Sequence, residues 1–306
     1  MKKELQLTVN LDTVRAAKDK DIPLLEKAAT AHNLKIKVLR SVDMWQENEP
    51  PVAAVNLSFL NDQHFRYLRE CEIQGTKCLN SVYSSMIADD KALSTLEMKR
   101  IGLNVPKTLS LNLSQRDVRI IDKIGDTLGY PCVLKPPRCG LGIGVHLIKD
   151  KKEFESLFNL LAYCNIHYQD YFPLLNFIVQ EYIPNPNVGL RVIAINGKCI
   201  AAAKRTINSD WNLRGTHELD KSIINKTTYT ANEISYEKYQ IDDNLKQDIE
   251  KIQKILKLGF SGVDVMFHKD GYCYNEINTT AGLFKMDALF SELKIIQSIV
   301  DYVVNK

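Results

Sequence analysis

The sequence predicts a mixed α/β fold made of several closely packed parts, and three observations support this prediction. Over the first 87 residues, short apolar strand patterns alternate with amphipathic helix patterns, which is typical of a small parallel sheet. From residue 184 onward the chain is rich in strand patterns and ends in a helix pattern. The 306 residues, 45% hydrophobic and 25% charged, have the composition of globular domains and can bury a large core.

The elements of the first part follow from hydrophobic periodicity. Strands are predicted at residues 5–9, 35–39 and 53–56, and helices around 22–32 and 64–70. A further helix from about residue 88 carries Asp90 and Lys91 and ends before Gly102 and Pro106, which stop helices. We therefore expect a first domain at residues 1–87.

Two further domains are expected, at residues 88–183 and 184–306. The middle one is predicted to contain strands at 107–111, 132–136, 144–148 and 177–183 and helices at 114–128 and 152–163. The last one is predicted to contain strands at 190–195, 199–206, 262–266 and 274–278, a helix at 243–258 and a closing helix at 287–303.

Three oxygen-bearing side chains mark the last two strands. Glu276 and Asn278 share a face because side chains alternate across a strand, and a hairpin through residues 268–271 places Asp264 opposite them. An all-oxygen cluster suits Mg²⁺, which usually keeps several waters and is completed by substrate phosphates. The hairpin therefore indicates nucleotide binding, with a solvated hairpin face as the plain alternative.

A lysine and a glycine-rich turn lie upstream. Lys135 ends an apolar strand, and Gly140, Gly142 and Gly144 follow before the next strand begins. The N–H groups of such a flap can close over phosphates, with Lys135 as a point charge beneath it. Neither of the two best-known glycine fingerprints applies, because no helix starts at the last glycine and no Gly-Lys-Ser/Thr ending is present.

A third feature is a strand that runs into a proline-marked turn. Gln180, Glu181, Tyr182 and Ile183 precede Pro184. The backbone of such a hinge can pair with the edge of an adenine base. An ordinary edge strand is the alternative interpretation of this segment alone.

The ordered set of these features resembles the ATP-grasp superfamily of carboxylate–amine ligases. The set comprises the Lys135 strand, the glycine flap, the hinge, Arg191, the Lys204-Arg205 pair, Asp264, Glu276 and Asn278. Within the superfamily the chain is similar above all to the branch that contains the glutamate ligase of a ribosomal protein and the α-aminoadipate ligase of lysine biosynthesis. The resemblance covers about residues 80–283.

The resemblance implies an ATP-grasp fold, in which two α+β subdomains clasp ATP, and assigns residues to the nucleotide. The implied ATP-binding residues are Lys91, Lys135, Gly140, Gly142, Gly144, Gln180, Glu181, Tyr182, Ile183, Lys204, Arg205 and Asn212. Among these, the residues from Gln180 to Ile183 would line the adenine pocket mainly through backbone groups.

The resemblance also assigns the reacting groups. Arg191 and Arg205 would face the γ-phosphate and the developing acyl phosphate, where a guanidinium matches a phosphoryl group. Asp264, Glu276 and Asn278 would hold two Mg²⁺ ions, and the same ligands are compatible with Mn²⁺.

The implied reaction is ATP-dependent formation of an amide or peptide bond through an acyl phosphate. The partners are then ATP, a carboxylate substrate and an amine-bearing acceptor that is a small molecule, a peptide or a protein, with glutamate the usual substrate of the family. Two alternatives remain open: a kinase of the same architecture, and a non-catalytic nucleotide-binding module.

The chain departs from the family pattern at three places. Gly189 stands where relatives have an acidic residue, two positions before the arginine, and Asn185 or Asn187 is a candidate substitute for the ribose contact. The segment 211–216 is shorter than the family loop, and Thr216 replaces a common glycine. Ala281 occupies the position before Gly282 where proline is usual.

Composition narrows the functional class further. A net charge of +3 is too small to argue for nucleic-acid or membrane binding, and no apolar run approaches the roughly 18 residues of a membrane-spanning helix. Seven cysteines without a Cys-x-x-Cys pair are expected to be free thiols. We expect a cytoplasmic enzyme, and the composition is compatible with a homo-oligomer.

Overall fold

The structure is a computed structural model. It describes residues 4–8, 16–39, 50–56, 62–112, 119–138, 144–167, 176–184, 187–207 and 234–305. Three sheets and the helices that cover them form a mixed α/β fold, as the sequence predicts. In the part of the chain described, no helix has both the length and the apolar character required to cross a membrane.

The first sheet is small and parallel. Its elements are β1 (Glu4–Thr8), α1 (Ala16–Thr30), β2 (Lys35–Leu39), β3 (Ala53–Asn56), α2 (Asp62–Ile73), β4 (Lys77–Leu79) and α3 (Val82–Ala88). The strands lie in the order β2-β1-β3-β4, and each neighbouring pair is parallel. The parallel sheet is therefore confirmed. The sequence did not predict β4 or α3, since three and seven residues are too few to show a clear period.

The second sheet is antiparallel. Its elements are α4 (Lys91–Arg100), β5 (Thr108–Asn112), α5 (Arg119–Leu128), β6 (Cys132–Lys135), β7 (His146–Ile148), α6 (Lys151–His167) and β8 (Asn176–Glu181). Its strands lie in the order β5-β8-β6-β7. Leu134 and Val179 pack against α5 and α6 through Ile124 and Phe154. Because side chains alternate along a strand, Lys135 projects from the opposite face, together with its cross-strand partner Ile178.

The third sheet has five antiparallel strands. The elements are β9 (Val188–Ile195), β10 (Lys198–Ile207), β11 (Ile234–Tyr239), α7 (Asp243–Leu256), β12 (Phe260–His268), β13 (Gly271–Asn278), α8 (Phe284–Leu289) and α9 (Ile295–Val304). The strand order is β11-β10-β9-β12-β13. One face packs on α7, where Val192 and Val263 meet Ile249. The other face packs against α1, α8 and α9 and shares a core with the first sheet.

The C-terminal segment corrects one expectation. A single helix was predicted at 287–303, whereas the chain forms α8, a 3-10 turn at Ser291–Leu293 and then α9. Lys294 has a left-handed φ of 47°, which ends one helical run before the next begins. The backbone N–H of Ile296 donates to Asp287 Oδ1 at 3.0 Å and so caps α9.

A buried asparagine fixes the strand that carries Asp264. Asn80, directly after β4, accepts hydrogen bonds at Oδ1 from the backbone N–H groups of Gly259, at 2.7 Å, and Phe260, at 2.8 Å. Its Nδ2 donates to the Phe260 carbonyl at 2.8 Å. The first sheet is thereby attached to the start of β12.

Candidate active site

Two arginines and one aspartate lie on the same face of the third sheet. Arg191 on β9 is the register partner of Asp264 on β12. Arg205 on β10 pairs with Gly189, two residues before Arg191. Since side chains alternate along each strand, all three side chains project from one face, close to the end of the sheet.

The three side chains form a buried ion cluster. Arg191 binds the Asp264 carboxylate in a bidentate manner: its Nε donates to Oδ1, and its Nη2 donates to Oδ2 at 2.8 Å. Arg205 places Nη2 at 2.8 Å from Asp264 Oδ1. A planar guanidinium matches a carboxylate, and also a phosphoryl group, through two parallel hydrogen bonds. Two cations thus share one carboxylate.

The surplus of positive charge dominates this cluster. Burial alone raises the pKa of Asp264, but Arg191 and Arg205 outweigh burial and hold that pKa well below its usual range. The Nε of Arg205 is buried and has no hydrogen-bond partner among the described residues. A buried donor without a partner is costly, so an anionic ligand that accepts this hydrogen bond is favoured.

The other two oxygen ligands expected from the sequence lie beside Asp264. Glu276 on β13 is the register partner of Asp264, and Asn278 is that of Gly262. Asn278 Nδ2 donates to Glu276 Oε1 and to the Gly262 carbonyl, each at 3.3 Å. These bonds use only the nitrogen, so the amide oxygen of Asn278 remains available as a ligand.

Two lysines reach the same strand from other parts of the chain. Lys91, the first residue of α4, places Nζ at 3.7 Å from Glu276 Oε2. Lys135, at the end of β6, donates from Nζ to Asn275 Oδ1 at 3.2 Å. Burial lowers the pKa of Lys135 to about 8, although the charge of Glu276 partly offsets this effect. Three segments distant in sequence therefore meet at Asn275 and Glu276.

The adenine residues predicted from the hinge lie at the end of β8. Gln180 projects from the face that also carries Lys135, and its Nε2 donates to Thr108 Oγ1 at 2.8 Å. The Glu181 carboxylate accepts a hydrogen bond from the backbone N–H of Lys107, directly before β5, at 2.8 Å. Tyr182 and Ile183 are half-buried. Backbone contacts to a base remain the prediction for this segment.

Lys204 does not join the cluster. It alternates with Arg205, so it projects from the opposite face of the sheet, where its Nζ lies 3.8 Å from Glu237 Oε2. Of the flap glycines, Gly140 and Gly142 lie outside the described residues, as does Asn212. Gly144 has φ 72°, and a Cβ there would lie 2.8 Å from Pro136 Cγ, so the end of the flap packs closely behind Lys135.

The sequence reasoning missed residues that shape the site. The β12–β13 register shifts between Asp264 and Val265, which leaves Asn275 as an extra residue in the ladder, and it is this residue that bonds Lys135. A Cβ at Gly262 would lie 2.6 Å from Ala281 Cβ and 3.0 Å from Arg191 Cδ. A glycine inside a strand pattern signals a close approach, so Gly262 could have been found.

The site residues fit a hard divalent cation. Within the described ranges no cluster of three or more His, Cys, Asp or Glu could hold a metal ion, so the candidate set is two carboxylates and one amide. Oxygen donors alone match Mg²⁺, which relies on few protein ligands and takes others from phosphates. An ionised carboxylate has about four lone-pair sites. Arg191 and Arg205 occupy three of these sites on Asp264, which leaves one for a cation.

Comparison with known proteins identifies the class. A family model described as a RimK-like ATP-grasp domain matches residues 88–303. The chain therefore belongs to the RimK-like ATP-grasp family. A probable alpha-L-glutamate ligase of Vibrio atlanticus is 28% identical over 222 residues, which cover 71% of this chain and 64% of that relative. The chain thus spans less than two-thirds of the length of that relative.

Solved structures show the same fold. D-alanine–D-alanine ligase from Bacillus anthracis has a TM-score of 0.72 at 16% identity and covers 99% of this chain and 96% of its own. A RimK-domain ATP-grasp protein from Sphaerobacter thermophilus has a TM-score of 0.70 at 18% identity, covering 99% and 100%. The ATP-grasp ligase PsnB, complexed with a precursor variant, Mg and ADP, has a TM-score of 0.68 at 14% identity, covering 99% of each chain. The fold is ATP-grasp, as the sequence predicts.

Proposed function

We propose that this protein is an ATP-dependent carbon–nitrogen ligase that joins a carboxylate to an amine through an acyl phosphate. The observation that supports it most strongly is the pair Arg191 and Arg205 on Asp264, beside two further oxygen ligands and facing Lys91 and Lys135. Four cations around two carboxylates favour a polyanion such as a triphosphate.

Each cation has a proposed task. Lys91 and Lys135 bind phosphate oxygens of ATP from the side of the second sheet. Arg191 and Arg205 hold the γ-phosphoryl group, and the unpartnered Nε of Arg205 donates to an oxygen whose charge grows as the group is transferred. Such preorganised donors stabilise the transition state more than the bound substrate.

Asp264, Glu276 and Asn278 are the proposed ligands of Mg²⁺. We propose two ions, with Mn²⁺ as a permitted replacement. When bound, Mg²⁺ neutralises the triphosphate and makes its terminal phosphorus more electrophilic. Mg²⁺ as the ion is supported by PsnB, a ligase of the same fold that was solved with Mg and ADP.

The proposed reaction has two steps. A carboxylate oxygen of the substrate attacks the γ-phosphorus, the bond to the β-phosphate oxygen breaks, and ADP leaves. The amine then attacks the acyl carbon, inorganic phosphate leaves, and the nitrogen loses a proton. The protein forms no covalent bond in this scheme. Its side chains orient the reactants and stabilise charge.

Glutamate is the proposed substrate class. Two relatives that are 28% identical to this chain, over 222 and 216 residues, are named probable alpha-L-glutamate ligase. A glutamate also has a second carboxylate that the positively charged side chains of the site could bind. The acceptor is proposed to be an amino acid, a peptide or a protein.

The proposal is tested by a screen of amino acids and carboxylates for ADP release with ATP and Mg²⁺, followed by mass spectrometry of the products. We expect turnover that requires both a carboxylate and an amine, and a product lighter by one water than the sum of the two. ADP release that needs no amine, together with a stable phosphorylated product, would instead identify a kinase.

A further inference from the structure

The turn after the metal strand lacks the proline that the family pattern places before Gly282. A proline would restrict this turn covalently, because its ring fixes φ. Here the residues after Asn278 read Thr279, Thr280, Ala281 and Gly282. Their conformation therefore depends on other contacts, and two carboxylates supply them.

Asp89 holds the first end of the turn. Thr279 donates its backbone N–H to Asp89 Oδ1 at 3.2 Å. Its hydroxyl lies 2.7 Å from Oδ1 and 2.9 Å from Oδ2. Asp89 is itself fixed, since it is the C-cap of α3 and its backbone N–H donates to the Ser85 carbonyl. Thr279 is buried, so solvent does not compete for these bonds.

Asp21 holds the other end. This residue of α1 is fully buried. Its Oδ1 accepts the backbone N–H of Leu283 at 3.1 Å and that of Phe284 at 2.8 Å. The turn is thus held between the first domain and the corner where α3 meets α4.

The turn has a closed side and an open side. Ala281 is buried against Gly262, where a Cβ would approach its own Cβ to 2.6 Å. Gly282 is exposed, and a Cβ added there would meet nothing within 4 Å. The backbone at Gly282 therefore borders open space, only four residues beyond the proposed ligand Asn278.

The residues next to Asp89 connect to the same site. Asp90 accepts a hydrogen bond from Arg138 Nε at 3.0 Å, at the base of the glycine flap. Lys91 lies 3.7 Å from Glu276. One three-residue corner thus contacts the flap base, the metal strand and the turn that follows it.

We propose that Asp89 is a positioning residue of the reaction. Through Thr279 it fixes the turn at residues 279–283, and thereby the backbone at Gly282 against which the substrate carboxylate or amine binds. This inference rests on the proposed ligase function. It assigns Asp89 and Thr279 no contact with ATP.

The test compares Thr279→Val, which removes the hydroxyl and keeps the shape, with Thr279→Ser, which keeps the hydroxyl. Tyr272→Phe is the matched control, because Tyr272 donates to Asp242 Oδ2 at 2.6 Å near the opposite end of the same strand. For each variant, kcat and KM are measured separately for ATP, carboxylate and amine, and folding is checked by thermal denaturation.

We expect Thr279→Val to lower kcat/KM for the carboxylate or the amine at least about tenfold, as befits the loss of one hydrogen bond to a charged group. The KM for ATP should change less than about twofold, since the turn does not touch the proposed phosphate lysines. Thr279→Ser and Tyr272→Phe should stay near the wild type. Asp89→Ala, which removes the acceptor of the Thr279 hydrogen bonds, should resemble Thr279→Val.

The inference is overturned if Thr279→Val matches the wild type in every substrate constant, or if Thr279→Ser is as impaired as Thr279→Val. It is also overturned if the KM for ATP rises as much as the other constants, because the effect would then be a general loss of structure. Failure of the ligase function itself appears differently, as a wild-type protein that forms no product with any carboxylate and amine.

Discussion

At the scale of single residues, the carboxylate of Glu276 connects a proposed phosphate-binding lysine to another proposed metal ligand. It lies 3.7 Å from Lys91, accepts a hydrogen bond from Asn278 and is the register partner of Asp264. Its negative charge is needed to offset the lysines and to hold a cation. A neutral side chain of the same shape would keep the packing and lose the charge.

Glu276→Gln should therefore reduce ADP release by about 100-fold, the size of effect seen when a preorganised charge is removed from an active site. Folding should be retained, and circular dichroism and the denaturation midpoint check this. Glu237→Gln is the control, because Glu237 pairs with Lys204 on the other face of the sheet. Near-normal ADP release by Glu276→Gln at ordinary Mg²⁺ would rule out the metal site.

Asp89 should also leave a signature in the pH dependence of stability. Burial raises its pKa from 3.8 to about 6, although Thr279, Lys91 and Arg138 each act to lower it. Because the folded protein binds this proton more tightly than the unfolded chain, the contribution is full below pH 3.8 and is lost as the pH rises through about 6.

The free energy of urea unfolding, measured between pH 4 and pH 7, should thus fall less steeply with rising pH in Asp89→Asn than in the wild type. Asp242→Asn is the comparison variant. Hydrogen bonds from Leu245 and Tyr272 lower the pKa of Asp242 from 3.8, so its contribution to stability is lost only as the pH falls below that value. Its removal should therefore leave the slope between pH 4 and pH 7 nearly unchanged. Identical curves for Asp89→Asn and the wild type would contradict the assignment.

Much of the candidate site could be inferred from residue types and their order. The structure brings Lys91, Lys135, Arg191, Arg205 and the three oxygen ligands together, and their roles stay predictions. Asn275 could not be foreseen, because a bulge determines which way its side chain points, and a bulge has no clear sequence signal in this strand. The contact of Asp89 could not be foreseen either, because its partner Thr279 lies 190 residues away in the chain.

At the scale of elements, β12 and β9 must approach closely for Arg191 to reach Asp264. Gly262→Ala would place a Cβ 3.0 Å from Arg191 Cδ and 2.6 Å from Ala281 Cβ. We expect Arg191 to shift off the carboxylate, with a fall in turnover and a loss of about 1–3 kcal/mol in stability, as for other overpacked sites.

Gly189→Ala is compared with Gly262→Ala because its added Cβ would meet a less severe contact. A Cβ at Gly189 would lie 3.3 Å from the Val265 carbonyl oxygen, which is tight but requires a smaller adjustment. Its stability loss, measured by urea unfolding, should be less than that of Gly262→Ala. An equal or larger loss at Gly189 would show that these distances do not control the packing of β9 on β12.

Asn80 provides a stability test of the join between the first sheet and β12. Asn80→Ala would leave the buried N–H groups of Gly259 and Phe260 without their acceptor. The expected loss in the free energy of unfolding is about 3 kcal/mol, since each unsatisfied buried group costs about 1–3 kcal/mol. Asn104→Ala, which removes one exposed hydrogen bond to the Tyr272 carbonyl, should cost less than about 1 kcal/mol. Equal losses in the two variants would contradict the proposed join.

Elements were predictable where their hydrophobic pattern is clear. The strands at residues 35–39 and 53–56 have the predicted bounds, and the helix α7 begins as predicted. The short β4 and α3 and the edge strand β11 were missed, the last because only its inner side is partly buried. The division between α8 and α9 depends on the left-handed conformation of Lys294, and a lysine in the sequence does not indicate that conformation.

At the scale of the whole molecule, the first and third sheets share one core. Val55 and Leu79 of the first sheet lie in the same cluster as Ile193, Phe260 and the apolar face of α9. The first sheet therefore packs against the sheet that carries the site, and Asp21 of α1 holds the end of the turn at residues 279–283. Sequence periodicity indicated separate domains but carried no information on which faces they share.

The central claim is that an acyl phosphate forms in this site. The most direct measurement is the formation of a hydroxamate when hydroxylamine replaces the amine, in the presence of ATP, Mg²⁺ and the carboxylate substrate. An activated acyl carbon reacts with any good nucleophile, so the wild-type protein should form hydroxamate and ADP in equal amounts.

The neighbouring residues Arg205 and Lys204 supply the matched variants for this measurement. Arg205→Ala should reduce hydroxamate formation by at least about 100-fold while ATP still binds, because its charge is needed most when the phosphoryl group is in transfer. Lys204→Ala should stay close to the wild type, since Lys204 pairs with Glu237 on the opposite face. ATP turnover with the correct carboxylate but without hydroxamate, accompanied by a stable phosphate ester, would contradict the account.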